Sequence, residues 1–188
     1  MVLSAAVVGI PPVKGEETLP FNDIASDTWY YDAVKTAFSE GIMNGKGEGV
    51  FDPTATITRA EVVTAFARIA CVNIEGKSNS LPFSDTVPGQ WYSDSVGWAA
   101  ENCIVNGRGN DLFSPADKIT RVEIAQILLN FLEYTAIDLP DSSKTDSFTD
   151  SDTFNGWMIK PIEAVRKNGL MQGSNGKFNP DFWSNYFD

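Results

Sequence analysis

Between residues 31 and 41 the apolar side chains Val34, Ala37 and Phe38 recur at a spacing of three to four. Further along, Val96, Ala99 and Ala100 do the same. The spacing predicts a short helix in each place. Gly41 closes the first of them, because glycine takes the left-handed C′ conformation without penalty. A second kind of segment follows each: Val62, Ala65, Phe66, Ile69 and Ala70 fall on one helical face, as do Ile124, Ile127, Leu128, Phe131 and Leu132. These stripes read as core. Between the helices, "NGKGEGVFDP" and "NGRGNDLFSP" are glycine-rich polar turns that let the two helices reverse and pack.

The helical pairs belong to a longer period. Starting at Phe21 and Phe83, two stretches align without a gap, and Phe, Asp, Trp, Asn, Gly, Pro, Thr, Arg and Glu recur at equal offsets. A third copy begins at Phe148 and keeps Asp150, Trp157, Gly169, Gly173, Phe178 and Pro180. Where the first two copies continue Thr-Arg-x-Glu, it reads Asn185-Tyr186-Phe187-Asp188 and lacks a second helical stripe. The chain thus divides into an apolar arm (1–20), repeat one (21–76), repeat two (83–140) and an incomplete repeat three (148–188). "GKSNS" (76–80) and "DSSKTDS" (141–147) read as flexible polar connections. The third repeat needs a cover, from the arm, from its own aromatic tail, from another subunit or from a further portion of a longer protein. The tail after Pro180 is too short for a stable helix and is expected to pack its aromatic rings against the body or a partner.

"TRAE" (58–61) and "TRVE" (120–123) open the second helices. Thr58 with Glu61, and Thr120 with Glu123, match a capping box, in which hydroxyl and carboxylate each accept from the other residue's backbone amide. Arg59 and Arg121 have no such reason, since a cation in the first turn opposes the helix dipole. If free helix amides, the guanidinium and the glycine loop just before it in sequence converge, they seat a carboxylate or phosphate. On that reading, removing either arginine is neutral or slightly stabilising. The alternative is an arginine lying over a tryptophan or pairing with an acid.

Charge and composition then narrow the function. Fourteen Lys and Arg against 25 Asp and Glu give a net charge of −11, which disfavours nucleic acid and anionic membranes as partners. The chain has no histidine, which removes the usual general base and the commonest zinc ligand. The expectation is a non-enzyme without cofactor or metal. The acids around Asp23, Asp27 and Asp85 fit no EF-hand loop and read as helix caps. Cys71 and Cys103 form no CxxC pair and read as two reduced, buried thiols rather than a disulfide. Trp29 and Trp91 read as core, with stacking on a sugar face as the alternative. The stretch "MVLSAAVVGIPP" is too short to span a bilayer; it is the remnant of an export signal, an extended strand or a disordered arm.

The tandem pattern F-x-D…W…G-x-G…F-x-P…I-T-R-x-E resembles the S-layer homology family, over residues 21 to 188. The resemblance implies an all-α fold, three helix-loop-helix repeats in a pseudo-threefold arrangement, and an extracellular module held at the bacterial cell wall. It implies a secondary cell-wall polysaccharide as partner, bound in grooves between repeats, often through a pyruvate ketal. By position the ligand arginines are Arg59 and Arg121, framed by Thr58, Glu61, Thr120 and Glu123. The loop glycines Gly45, Gly47, Gly107 and Gly109 contribute backbone. Self-association or a protein partner through the incomplete third repeat is the competing role.

Overall fold

In the computed structural model, residues 19–142 and 147–184 are described. They form five α-helices: α1 (Tyr31–Ser39), α2 (Arg59–Ile69), α3 (Ser93–Glu101), α4 (Arg121–Thr135) and α5 (Gly156–Lys167). Short 3-10 turns occupy Lys77–Ser80 and Ser151–Thr153, and the described residues contain only isolated β-bridges and no strand. The class is all-α. No described helix is long and apolar enough to cross a membrane. Residues 1–18 of the apolar arm and most of the 141–147 connection lie outside the described residues.

The helices pair across repeat boundaries. α2 of repeat one packs on α3 of repeat two, and α4 of repeat two packs on α5 of repeat three. The α2–α3 seam buries Val62, Val63 and Ala67 against Val96, Trp98 and Ala99, with Ile127 and Phe131 of α4 completing the cluster. The opposite side of α4 sends Val122 and Ala125 into a second cluster with Met158, Ile162, Val165 and Phe178. Lying between two clusters, α4 is apolar most of the way round, so the single stripe expected for it is incomplete. Val122, Ala125 and Leu129 are buried as well as Ile127 and Phe131. On α2 the shift runs the other way: Ile69 is exposed, and Val63 and Ala67 take its place inside.

α1 ends as its sequence predicts, with Gly41 at φ +67° and its N–H bonded to the Phe38 carbonyl. The connection at 76–80, expected to be flexible, is a turn docked on α3. Asp94 accepts from the Ser78 N–H (2.8 Å), and Lys77 pairs with Glu101 (2.6 Å). A Cβ on Gly97 would collide with the Lys77 carbonyl, so this glycine makes the docking possible. Both cysteines are free, as expected, but both are exposed instead of buried. Each sits in the left-handed region just after a helix, Cys71 at φ +50° and Cys103 at φ +58°, where the side chain turns away from the core.

The segments preceding the second helices meet in a closed cycle of backbone hydrogen bonds. Ile57 N–H donates to the Ser184 carbonyl (3.0 Å), Ser184 to Ile119 (2.9 Å) and Ile119 to Ile57 (3.1 Å). These three residues occupy aligned positions after the Phe-x-Pro of their repeats. Through residue 184 the tail is not helical, as expected, but it docks by backbone and not by rings. The Pro180 and Phe182 carbonyls accept from the Val122 and Arg121 N–H groups, while the Phe182 and Trp183 side chains are 65% and 53% exposed. Polar backbone inside the molecule must be paired, and here pairing outweighs ring burial. Residues 185–188 lie outside the described chain.

Candidate functional site

Both capping boxes are complete, with Thr58 and Thr120 accepting from the Glu61 and Glu123 amides and both carboxylates reaching back. The remaining first-turn amides are also taken. Arg59 N–H donates to the Asp117 carbonyl (3.0 Å) and Ala60 N–H to the Pro115 carbonyl (3.1 Å), both in repeat two. The α2 N-terminus is therefore filled by protein, contrary to the expectation of free amides awaiting an anion. The α4 start repeats this with carbonyls of repeat three.

Arg59 and Arg121 are buried, at 4% and 6% exposure. Arg59 Nε donates to the Phe113 carbonyl (2.9 Å) and Nη2 to the Asn106 carbonyl (3.1 Å), while Nη1 meets Glu123 Oε1 (3.3 Å). Its guanidinium lies 4.9 Å from the Phe113 ring centroid. Arg121 makes the corresponding carbonyl and ring contacts one repeat on, with Nε to Phe178, Nη2 to Gln172, and a 5.0 Å approach to the Phe178 ring. Neither arginine meets the glycine loop that precedes it in sequence; each holds the loop of the next repeat. Burial pulls the Arg59 pKa down, and the charge of Glu123 pushes it back up. The guanidinium keeps its proton regardless. Two internal carbonyls depend on each guanidinium, a larger effect than the unfavourable dipole, so removal of either arginine is expected to destabilise.

Asp23 and Asp85, expected to cap helices, hold loops instead, and Asp150 of the third F-x-D does the same. Asp23 accepts from the Phe51 and Asp52 amides (2.9 and 2.7 Å), Asp85 from Phe113 and Ser114 (2.8 and 2.7 Å), and Asp150 from Phe178 and Asn179 (2.9 and 2.8 Å). In each case the second amide belongs to a left-handed residue, at φ +60°, +59° and +56°. Phe113 and Phe178 are thereby gripped at both ends, amide by Asp and carbonyl by Arg. At Asp23, partial burial pushes the pKa up, the two amides pull it down, and the net shift is downward. A folded-state pKa below the unfolded one stabilises the protein above the ordinary carboxylate value of about 4, and that stability is lost as pH falls through the folded value. The destabilisation caused by Asp23→Ala should accordingly shrink below about pH 4 in urea titrations; a constant difference from pH 7 to pH 3 would contradict the clamp.

Three grooves follow from this geometry. The first, about 490 Å³, is walled by loop residues Asn44–Lys46 and by Glu61, Thr64 and Arg68 of α2, with Trp91 of repeat two at its edge. The second, about 310 Å³, joins Arg59 to Asn106, Gly107 and Arg108, with Glu123 on α4 and Trp157 of repeat three. The third, about 860 Å³, joins Arg121 to loop 172–175, Lys177 and Phe182, with Trp29 of repeat one. Trp29, Trp91 and Trp157 are 78%, 63% and 51% exposed, so the expectation that the first two are core is overturned. Trp91 precedes, and Trp157 opens, a helix that packs on the neighbouring repeat, so each of these two rings points past its own core into the gap between repeats.

The sequence-derived residues are redistributed among these grooves. Gly45 and Glu61 line the first, Arg59, Gly107 and Glu123 the second, and Arg121 the third. Thr58, Thr120, Gly47 and Gly109 stand outside all three linings and serve the caps and turns. Gly107 is required by packing, because a Cβ there would sit 2.7 Å from the Leu112 carbonyl and 3.1 Å from the Phe83 ring. Arg108 was not singled out from sequence. It forks onto Glu123 (2.9 and 2.7 Å) and reaches Asp117 (2.9 Å), its only signal being a cation inside a glycine loop. Among the described residues no cluster of three or more metal-ligating side chains occurs.

Comparison with known proteins matches the S-layer homology domain at residues 20–63, 82–125 and 147–181. The chain is 31% identical over 172 residues to the Surface-layer 125 kDa protein of Lysinibacillus sphaericus, covering 90% of this chain and 14% of that protein. It is 27% identical over 177 residues to S-layer protein sap of Bacillus anthracis, covering 94% and 21% respectively. It is also 27% identical over 167 residues to Exoglucanase XynX of Acetivibrio thermocellus, covering 89% and 15%. The chain spans between about a seventh and a fifth of the length of these relatives.

Proposed function

The chain belongs to the S-layer homology family, and from that premise we propose that it is a non-enzymatic anchoring module of the bacterial cell surface. It binds an anionic secondary cell-wall polysaccharide in the grooves between repeats. The observation that carries this reading is the placement of charge. The three linings hold Lys46, Arg59, Arg68, Arg108, Arg121 and Lys177, six of the chain's 14 basic residues, but only Glu61 and Glu123 of its 25 acidic ones. A molecule of net charge −11 that gathers its cations beside exposed indoles offers an acidic sugar both a counter-charge and a stacking face. The same segment is matched in proteins named for surface layers and in one named for glucan hydrolysis, which separates its task from hydrolysis. A pyruvate ketal fits as the anion. The cycle through Ile57, Ile119 and Ser184 supports a pseudo-threefold arrangement of repeats 21–76, 83–140 and 148–188.

Co-sedimentation with wall sacculi tests the reading, using sacculi before and after mild acid removal of ketals. The expected result is binding that treatment abolishes. Retained binding would reject the ketal, and no binding to untreated sacculi would reject the anchoring role. The exposed Phe182 and Trp183 favour a second reading, an assembly subunit that contacts protein through its third repeat. A stable oligomer with no affinity for sacculi would favour it.

A further inference from the structure

The pairing of helices across repeat boundaries leaves one place open. α2 covers α3 and α4 covers α5, but no described helix packs on α1 in this way. The helix faces record the difference. Ala99 of α3 and Val165 of α5 are fully buried beside α2 and α4, whereas Ala37, at the aligned place on α1, is half-buried. One turn earlier Ala33 is exposed, although its counterparts Ser95 and Pro161 are buried.

Two further elements lack the same neighbour. Phe131 of α4 is 5% exposed and meets the Phe66 ring of α2 at 4.9 Å, while Ile69, in the aligned place on α2, is 46% exposed. The first and second grooves have α2 and α4 as helical walls, but in the third, at about 860 Å³ the widest of the three, no helix stands in that place. The backbone carries the same vacancy. The Pro115 and Asp117 carbonyls accept from the first two amides of α2, and the Pro180 and Phe182 carbonyls from those of α4. The aligned carbonyls of repeat one, Pro53 and Ala55, accept from no described residue.

We infer that this opening docks an amphipathic α-helix of about three turns, supplied by a second polypeptide, which covers α1 as α2 covers α3. The surface continues an interface that the molecule already builds twice, so the form of its occupant follows from α2 and α4. The occupant's first-turn amides bond to the Pro53 and Ala55 carbonyls, and its apolar stripe lies on Ala33 and Ala37. These small side chains let the helices approach closely, so the bulk comes from the partner, with a large apolar residue over Ile69 as Phe66 lies over Phe131. The apolar run at 2–10 does not match this description, because Gly9 interrupts it and Pro11 and Pro12 follow. The inference does not depend on the polysaccharide reading.

The experiment adds a helix-stapled peptide of the α2 sequence, ITRAEVVTAFARIA (57–70), to the whole chain without any sugar. Binding is followed at the Trp29 indole N–H resonance of a ¹⁵N-labelled sample, since Trp29 stands just before α1. One peptide is expected to bind per chain and to shift that signal. Ala33→Glu and Ile69→Glu should each require at least about tenfold more peptide, because each sets an unpaired charge against the docked apolar stripe. Both positions are exposed, so both variants should melt at the parent temperature. A peptide carrying Val63→Glu, which alters the residue that α2 buries against α3, should leave Trp29 unmoved. The inference is overturned if the unaltered peptide does not shift Trp29, if the altered peptide binds equally, or if both variants of the chain bind as the parent does. It is overturned also if the chain alone sediments as a dimer that Ala33→Glu dissociates, which would assign the face to a second copy.

Discussion

Arg59→Ala should lower the unfolding free energy by about 2–4 kcal/mol, because it leaves the Phe113 and Asn106 carbonyls without their charged donor. For a chain of this size that corresponds to a fall in Tm of roughly 5–15 °C. Glu123 softens the loss, since Arg108 still holds both of its oxygens. Arg59→Lys should recover less than half, because an ammonium cannot reach two carbonyls and a carboxylate with the geometry of a planar fork. Circular-dichroism melts of both variants and of Arg121→Ala decide the matter. Melting at the parent temperature would mean that the buried guanidinium holds nothing. The result also bears on binding experiments. A loss of wall affinity in Arg59→Ala would not by itself identify a ligand contact, because the same substitution releases the loop that shapes the second groove.

Asp85→Ala should cost about 2–4 kcal/mol by a different route. It strands the Phe113 and Ser114 amides and removes what holds Ser114 in the left-handed region. The two effects can be separated. Ser114→Gly relieves the backbone penalty of about 1 kcal/mol but returns neither hydrogen bond, so in the Asp85→Ala background it should restore about that much and no more. In the parent background the same glycine should gain a different amount, because there the Asp85 carboxylate still fixes the residue's conformation, while the unfolded-chain cost of glycine is common to both backgrounds and cancels. Urea unfolding of the four proteins measures the coupling. Strict additivity across the cycle would show that the carboxylate and the left-handed residue act independently, against the clamp described above.

Position in the chain made some of this legible and hid the rest. The capping boxes, the end of α1 at Gly41 and the helical class could be read because each depends on residues three or four apart. The repeat pattern likewise announced that Arg59 and Arg121 share a role, and that Asp23, Asp85 and Asp150 share another. What the pattern did not carry was the identity of the partner. Asp23 lies 28 residues before Phe51, and Arg59 lies 54 before Phe113. No local rule connects such positions, so the acids read as caps and the arginines as ligand contacts.

The sequence by itself determined the repeats, their helices, the family and the set of residues that differ in the third copy. The tertiary structure alone decided which repeat each residue serves. A second helix can pack on the first helix of its own repeat or of the next with the same apolar stripe, and burial energy distinguishes poorly between two similar faces. The choice rests on long-range geometry: the turn at Lys77–Ser80 docks on α3 through Gly97, and α2 then lies against α3 and carries Arg59 into the loop of repeat two. The same crossing brings Trp91 out of the expected core and puts it, like Trp157, at the edge of a groove formed by the preceding repeat. Hydrophobic patterning is a property of single elements, whereas a groove between repeats exists only once those elements have chosen their neighbours.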